Sequence, residues 1–248
     1  MSFNNFISEN ILLPLGDCFT GQTISKTLRF LMKSQYWTRE EIDSYQNSRL
    51  RSLITHAYKN VPFYYELFKD MGVKPEDIQT KDDLLKLPVI TKNDLKRAKS
   101  KHLAKNIHKK NLVYCSSSGS TAEPFQYYST REAESFLTAS AIRAWYWMGY
   151  RLGDRYVKVS MNPRNSKIKK LQDMINNCTY VSSNQLDGSE FERISEKIFS
   201  TDPLFLRCYP VPLLFLARQI KEENINYEGK RLIAINTTGS TLHNNVRK

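Results

Sequence analysis

Between residues 22 and 35 the apolar positions Ile24, Leu28, Leu31 and Met32 fall at i, i+4, i+7 and i+8, with Lys26, Arg29 and Lys33 between them. That spacing predicts an amphipathic helix, packed against its own domain or, alternatively, lying on a membrane surface. Thr38 followed by Glu41 forms a capping box, in which each side chain satisfies a free backbone N–H at a helix start. The helix it opens is predicted to run to about Lys59, burying Ile42, Tyr45, Leu50, Leu53, Ile54, Ala57 and Tyr58. Asn60-Val61-Pro62 ends it, because the residue before a proline avoids helical geometry. A short helix from Tyr64 to about Met71 follows, closed by Gly72. Thr80 with Asp83, and Thr91 with Asp94, repeat the cap-and-acid pattern ahead of further short helices, separated by the stop at Leu87-Pro88.

From Leu112 the pattern changes. Leu112 to Cys115 and Phe125 to Tyr128 read as strands around a polar turn, Ser116 to Pro124, and Arg131 to Met148 reads as a helix closed by Gly149. Further strands are predicted at Tyr156 to Ser160, Tyr180 to Ser182 and Leu232 to Asn236, with helices at about 189–199 and 211–222. The fold class is therefore α/β: a mostly helical N-terminal region over 1–110, then an α/β domain over 111–248. No period of 20 to 50 residues repeats, which excludes a solenoid.

Composition adds modest limits. The chain has 248 residues, 40% of them hydrophobic, enough for a sizeable core. Lys and Arg number 37 against 25 acids, a net charge of +12 that favours phosphates, nucleic acid or anionic lipid. Much of this charge lies in Lys92 to Lys110, where the spacing fits the solvated face of a helix and a basic loop, and no nucleic-acid motif accompanies it. Cys18, Cys115, Cys178 and Cys208 are scattered, with no pair at zinc-ligand spacing. Free thiols, no bound structural metal and a reducing cytoplasm are the expectation, in the absence of a secretory leader. The longest apolar runs, Ile11 to Leu15 and Leu213 to Ala217, fall far below the roughly 20 residues that cross a bilayer.

One loop carries candidate chemistry. Ser116 to Pro124 places five hydroxyls and Gly119 between two strands, a composition that can wrap phosphate oxygens with N–H and O–H donors. An ordinary polar hairpin loop has the same composition. GxxxxGK[ST] is absent, so this is not a Walker loop, and no GxSxG or HExxH marks a catalytic triad or a zinc protease.

Ser117 to Pro124 resembles the phosphate loop of the adenylate-forming superfamily, [ST]SG[ST]TGxP, except that Ala122 stands at the second glycine. Tyr36 to Glu41, Arg49 to Tyr64 and Asp82 to Lys92 resemble the opening of the phenylacetate-CoA ligase and CapK branch. Ile233 to Leu242 is similar to the family's later strand and loop, commonly TT[SG]ExL, with Ser240 at the usual glutamate. The similarity covers roughly residues 36 to 248.

The resemblance implies an incomplete N-terminal α/β domain of an adenylate-forming enzyme. It implies ATP and Mg2+, with a carboxylic acid and CoA as further partners, in capsule or surface-polysaccharide assembly. Ser117, Ser118, Gly119, Ser120 and Thr121 would hold phosphates, and Thr238, Gly239 and Ser240 would line the base and ribose. Family members carry beyond these elements a magnesium-binding glutamate, a ribose-binding aspartate and a catalytic lysine. None matches here, so the chain is expected to be a truncated product, inactive alone, whose second half is a separate chain; no catalytic or metal-binding residue is assigned. The alternative is a non-enzymatic basic module that meets nucleic acid or anionic membrane through Lys92 to Lys110. His56, on an apolar helix, reads as structural.

Overall fold

The computed structural model describes residues 2–117, 124–160, 164–182, 188–222 and 232–247. In chain order α1 (Phe3–Ile7), a π turn (Ser8–Leu12) and α2 (Leu13–Thr20) are followed by α3 (Ile24–Ser34), α4 (Arg39–Asn60) and α5 (Pro62–Asp70). After short 3-10 turns come α6 (Lys92–Ala98), β1 (Leu112–Ser116), β2 (Gln126–Thr130) and α7 (Arg131–Trp147). The remainder alternates: β3 (Tyr156–Ser160), α8 (Lys167–Ile175), β4 (Cys178–Ser182), α9 (Gly188–Thr201), β5 (Phe205–Cys208), α10 (Pro210–Glu222), β6 (Ala234–Thr237) and α11 (Asn244–Arg247). Contacts divide the chain into two compact units, residues 21–137 and residues 1–20 with 138–248. The α/β class read from the sequence is the class observed.

In the helical unit the capping boxes form where the sequence places them. Thr38 Oγ1 accepts from Glu41 N at 3.2 Å, and Thr38 N donates to the Glu41 carboxylate at 2.8 Å. Thr91 and Asp94 repeat the exchange at the start of α6. Pro62 ends α4 and becomes the first residue of α5, where its missing N–H costs nothing. Between these helices Ile54, Phe68 and Ile78 form a buried cluster, flanked by Leu50, Tyr58, Tyr64, Val73 and Leu87. Leu53, expected in the buried stripe, is 63% exposed, because the face of α4 that meets α5 centres on Ile54. The short helix expected after Thr80 is a 3-10 helix, Lys81–Lys86, with Thr80 at its N-cap.

In the other unit β3, β4, β5 and β6 make a parallel sheet in the order β4-β3-β5-β6. The register pairs Val157 with Thr179 and Leu206, and Leu206 with Ile235. Side chains alternate between faces along a strand, so Val157, Val159, Val181, Leu206 and Cys208 point one way. They pack with Ile194 and Ile198 of α9 and Leu216 of α10 into the largest apolar core of this unit.

Several elements escaped the sequence reading. Strand β5, the central partner of β3, sits in a four-residue run with no alternation to mark it. Helix α8 also went unread. Its buried position is Asp173, while Ile168, Leu171 and Met174 are exposed, the reverse of the usual pattern. The first 20 residues are helical too. Pro14 cannot donate to Asn10, and the backbone absorbs the fault in the π turn, where Leu13 N donates to Ser8 O. Asn5, buried, ties this segment down by donating to Leu152 O at 3.0 Å and to the Asp154 carboxylate at 2.8 Å. Among the described residues no helix is long and apolar enough to cross a membrane.

Truncating Phe68, 1% exposed at the centre of the helical core, to alanine is expected to cost about 3–4 kcal/mol, as large-to-small core changes do. Thr38→Ala should cost about 1 kcal/mol through the lost cap. Denaturant unfolding of the two variants followed by circular dichroism checks both, and equal losses would contradict the burial assignment.

Candidate functional site

Ligands of open parallel α/β sheets gather outside the carboxyl ends of the strands. Here β5 and β6 end side by side at Cys208 and Thr237, which are register partners. The chain leaving β6 stays attached for one further bond, Thr238 N donating to Cys208 O at 3.3 Å. It then turns at Gly239, with φ +86°, in the left-handed region that glycine adopts without steric cost. A Cβ at Gly239 would lie 2.1 Å from Cε1 of Tyr209, so the glycine lets the turn sit directly on the tyrosine ring. Tyr209 is fixed in turn by Leu213 N, which donates to its carbonyl at 3.2 Å in the first turn of α10. Gly239 and Ser240 face solvent, and Thr237 and Thr238 are half-buried. The result is a hydroxyl-lined turn with open backbone at the end of the sheet. Sequence reasoning named Thr238, Gly239 and Ser240 but not Tyr209, which gave no signal of its own.

Cys208, beneath this turn, is buried. Burial pushes its thiol up to about 12, the N–H of Tyr209 opposing only slightly. Cys18, Cys115 and Cys178 are likewise in no disulfide in this structure.

In the unit of residues 21–137, β1 and β2 form an antiparallel hairpin, Ser116 opposite Gln126. Ser117 closes the base of its loop. Its N–H donates to Phe125 O at 2.9 Å, and its Oγ accepts from Phe125 N at 2.9 Å. One lone pair of the Ser117 hydroxyl is thereby committed to the hairpin. Ser118, Gly119, Ser120 and Thr121 lie outside the described residues, as does Ala122. Cys115, on β1, points toward Glu134 of α7 at 3.6 Å, and burial followed by that carboxylate raises its thiol above the ordinary value. His56 lies near the end of α4 with Asn60 Nδ2 3.4 Å from its Nδ1, a contact within the helix.

Among the described residues no three His, Cys, Asp or Glu side chains gather to hold a metal ion.

No protein-family model matches the sequence. The chain is 42% identical over 57 residues to the phenylacetate-coenzyme A ligase of Escherichia coli (strain K12), covering 23% of this chain and 13% of that protein. It is 32% identical over 120 residues to the phenylacetate-coenzyme A ligase of Aromatoleum evansii, covering 47% of this chain and 27% of the relative. The matched stretches thus span about a quarter or less of these relatives. Among solved structures, a 2-hydroxyisobutyryl-CoA ligase in complex with 2-HIB-AMP and CoA superposes with a TM-score of 0.59. That match covers 80% of this chain and 43% of the ligase at 19% identity, a likeness of fold.

Gly239→Ala should destabilise its unit by about 2 kcal/mol or more, from the positive φ and the collision with Tyr209. Adding Tyr209→Ala should recover part of that loss; strictly additive melting shifts in a double-mutant cycle would show that the two do not touch. Because the folded pKa of Cys208 lies above the unfolded thiol value, its contribution to stability is intact below about pH 8.5 and falls as pH rises toward 12. Disulfide-exchange labelling should accordingly reach exposed Cys18 at once and Cys208 only on unfolding.

Proposed function

We propose, from the premise that this chain belongs to the adenylate-forming ligase family and corresponds to its N-terminal portion, that it binds ATP, with the turn after β6 as the part of the site that the structure describes. The supporting observation is the Gly239 turn, an open backbone flanked by hydroxyls at the carboxyl end of a parallel sheet. In this reading Ser118, Gly119, Ser120 and Thr121 receive the phosphates, and Ser117 fixes the loop's base. Thr238, Gly239 and Ser240 line the base and ribose, with Tyr209 as the platform that holds their turn in place. Ser240, where relatives carry a glutamate, offers a hydroxyl in place of a carboxylate, and Ala122 adds a Cβ at a glycine position; both changes predict weak binding.

The reaction assigned to the whole protein is carboxylate activation. A carboxylate oxygen attacks the α-phosphorus of ATP, pyrophosphate leaves, and the thiol of an acceptor such as CoA displaces AMP from the acyl-adenylate. Catalysis of this kind depends on positioning and on neutralising charge. We infer that these residues alone do not complete it, since the family's magnesium-binding glutamate and catalytic lysine match no position in the sequence. The functional partition we propose keeps 1–110 as a helical region and 111–248 as the partial AMP-binding domain, acting in the cytoplasm. A place in capsular or surface-polysaccharide assembly is supported by the likeness of the opening segment to CapK.

A basic interaction module ranks second. In the Lys92 to Lys110 segment Lys101 is held by Glu66 at 2.9 Å. The shallow groove there, about 560 Å³, is lined by Glu66 and Asp94 as well as by Arg97, Lys99 and Lys101, so its field is mixed. Nucleic-acid binding rests on clustered positive charge.

Calorimetry with ATP and magnesium is expected to give binding in the millimolar range, weakened further in Thr238→Val and Ser117→Ala. No heat at ten-millimolar nucleotide would end the proposal. Pyrophosphate release with a panel of carboxylic acids should stay at background for this chain by itself.

A further inference from the structure

Strands of parallel sheets, covered on both sides, usually read apolar on both faces. The face of this sheet turned away from α9 and α10 departs from that rule. At one register level it carries Tyr180 on β4, Lys158 on β3, Arg207 on β5 and Asn236 on β6. Neighbouring strands lie about 4.8 Å apart, so two cations stand side by side on the central pair. The carboxylate that favours the charged form of Lys158, Asp173, is already gripped by the fork of Arg164 at 2.8 and 2.9 Å. Among the described residues neither Lys158 nor Arg207 has an ion-pair partner, and Nε of Arg207 is buried without a hydrogen bond.

Aromatic rings hold these cations in place instead of acids. Arg207 lies over Trp145 at 4.9 Å, and Arg164 and Lys158 lie over Tyr180 at 4.5 and 5.7 Å. Burial, then Arg207 and Arg164, lowers the ammonium pKa of Lys158. Repulsion of this kind is relieved by an anion seated between the groups. The two cations stand on β3 and β5, the neighbours between which the strand order reverses. Trp145 and Tyr150 close over Tyr156 and Phe205 at the amino ends of the strands.

We propose that Lys158 and Arg207 bridge an oxyanion, making the polar face of the sheet a binding site for a small molecule that carries a carboxylate or phosphate. The site uses none of the residues assigned to ATP and stands independently of that assignment. Its donors supply a guanidinium edge and an ammonium, the pairing that grips two oxygens of one anionic group.

The test is calorimetry of the full chain with succinate and, separately, with inorganic pyrophosphate, at fixed ionic strength and without nucleotide. At least one is expected to bind at millimolar concentration or better, and the one that binds says whether the anion is carboxylate or phosphate. Affinity should fall about tenfold or more in Lys158→Met and in Arg207→Gln, and be partly retained in Arg207→Lys. In wild-type protein the same anion should slow acetylation of Lys158, read by peptide mass spectrometry, which decides the matter even if the variants misfold. No binding of either anion, or binding that neither protects Lys158 nor changes in folded variants, overturns the proposal.

Discussion

A parallel strand can reach its neighbour only through a crossover, and the crossover must pack on the sheet it spans. That constraint organises the unit containing β3 to β6. One face, Val157, Val159, Val181, Leu206 and Cys208, is closed by α9 and α10. Their burial drives the strands into register, and register then fixes every other position. It places Lys158 beside Arg207, Cys208 beside Thr237, and the Gly239 turn at the end of β6 where backbone is open. A slip by one residue would send the valines to the polar face and the cations into the apolar core, at a cost far beyond any local preference.

The same dependence explains two glycines far apart in sequence. At Gly153, with φ +93°, a Cβ would stand 2.7 Å from Ser8 Oγ and 2.8 Å from Asn4 O, so the first helix docks where a side chain is missing. Tyr146 reinforces the contact by donating to the Glu9 carboxylate at 2.5 Å, which together with burial raises its phenol well above the ordinary value. At Gly239 the missing side chain admits the Tyr209 ring. In both places backbone meets its neighbour directly, and in both the identity of the residue is set by something distant in the chain.

The helical unit rests on local chemistry. Three capping exchanges, Thr38–Glu41, Thr80–Asp83 and Thr91–Asp94, tie successive helix or turn starts by contacts three residues long. Tertiary packing enters through the Ile54, Phe68 and Ile78 cluster and through the edge contacts of Phe30, Trp37 and Tyr45. Local rules and global packing agree here, which is why the elements fall close to their expected ends.

By itself the sequence determined what short-range forces control: α3, α4 and α5 with their caps and the proline stop, the hairpin around the hydroxyl loop, and β3 residue for residue. It also carried the loop motifs from which Ser117 to Thr121 and Thr238 to Ser240 were read. Only the tertiary structure decided the rest. Strand β5, Phe205–Cys208, is too short to show a periodic signature, and α8 presents its apolar residues outward. Leu53 and Ile54 are equally apolar neighbours, and only the position of α5 chose between them. Tyr209, Lys158 and Arg207 acquire meaning from strand order, and strand order is fixed by long-range burial that no local window contains.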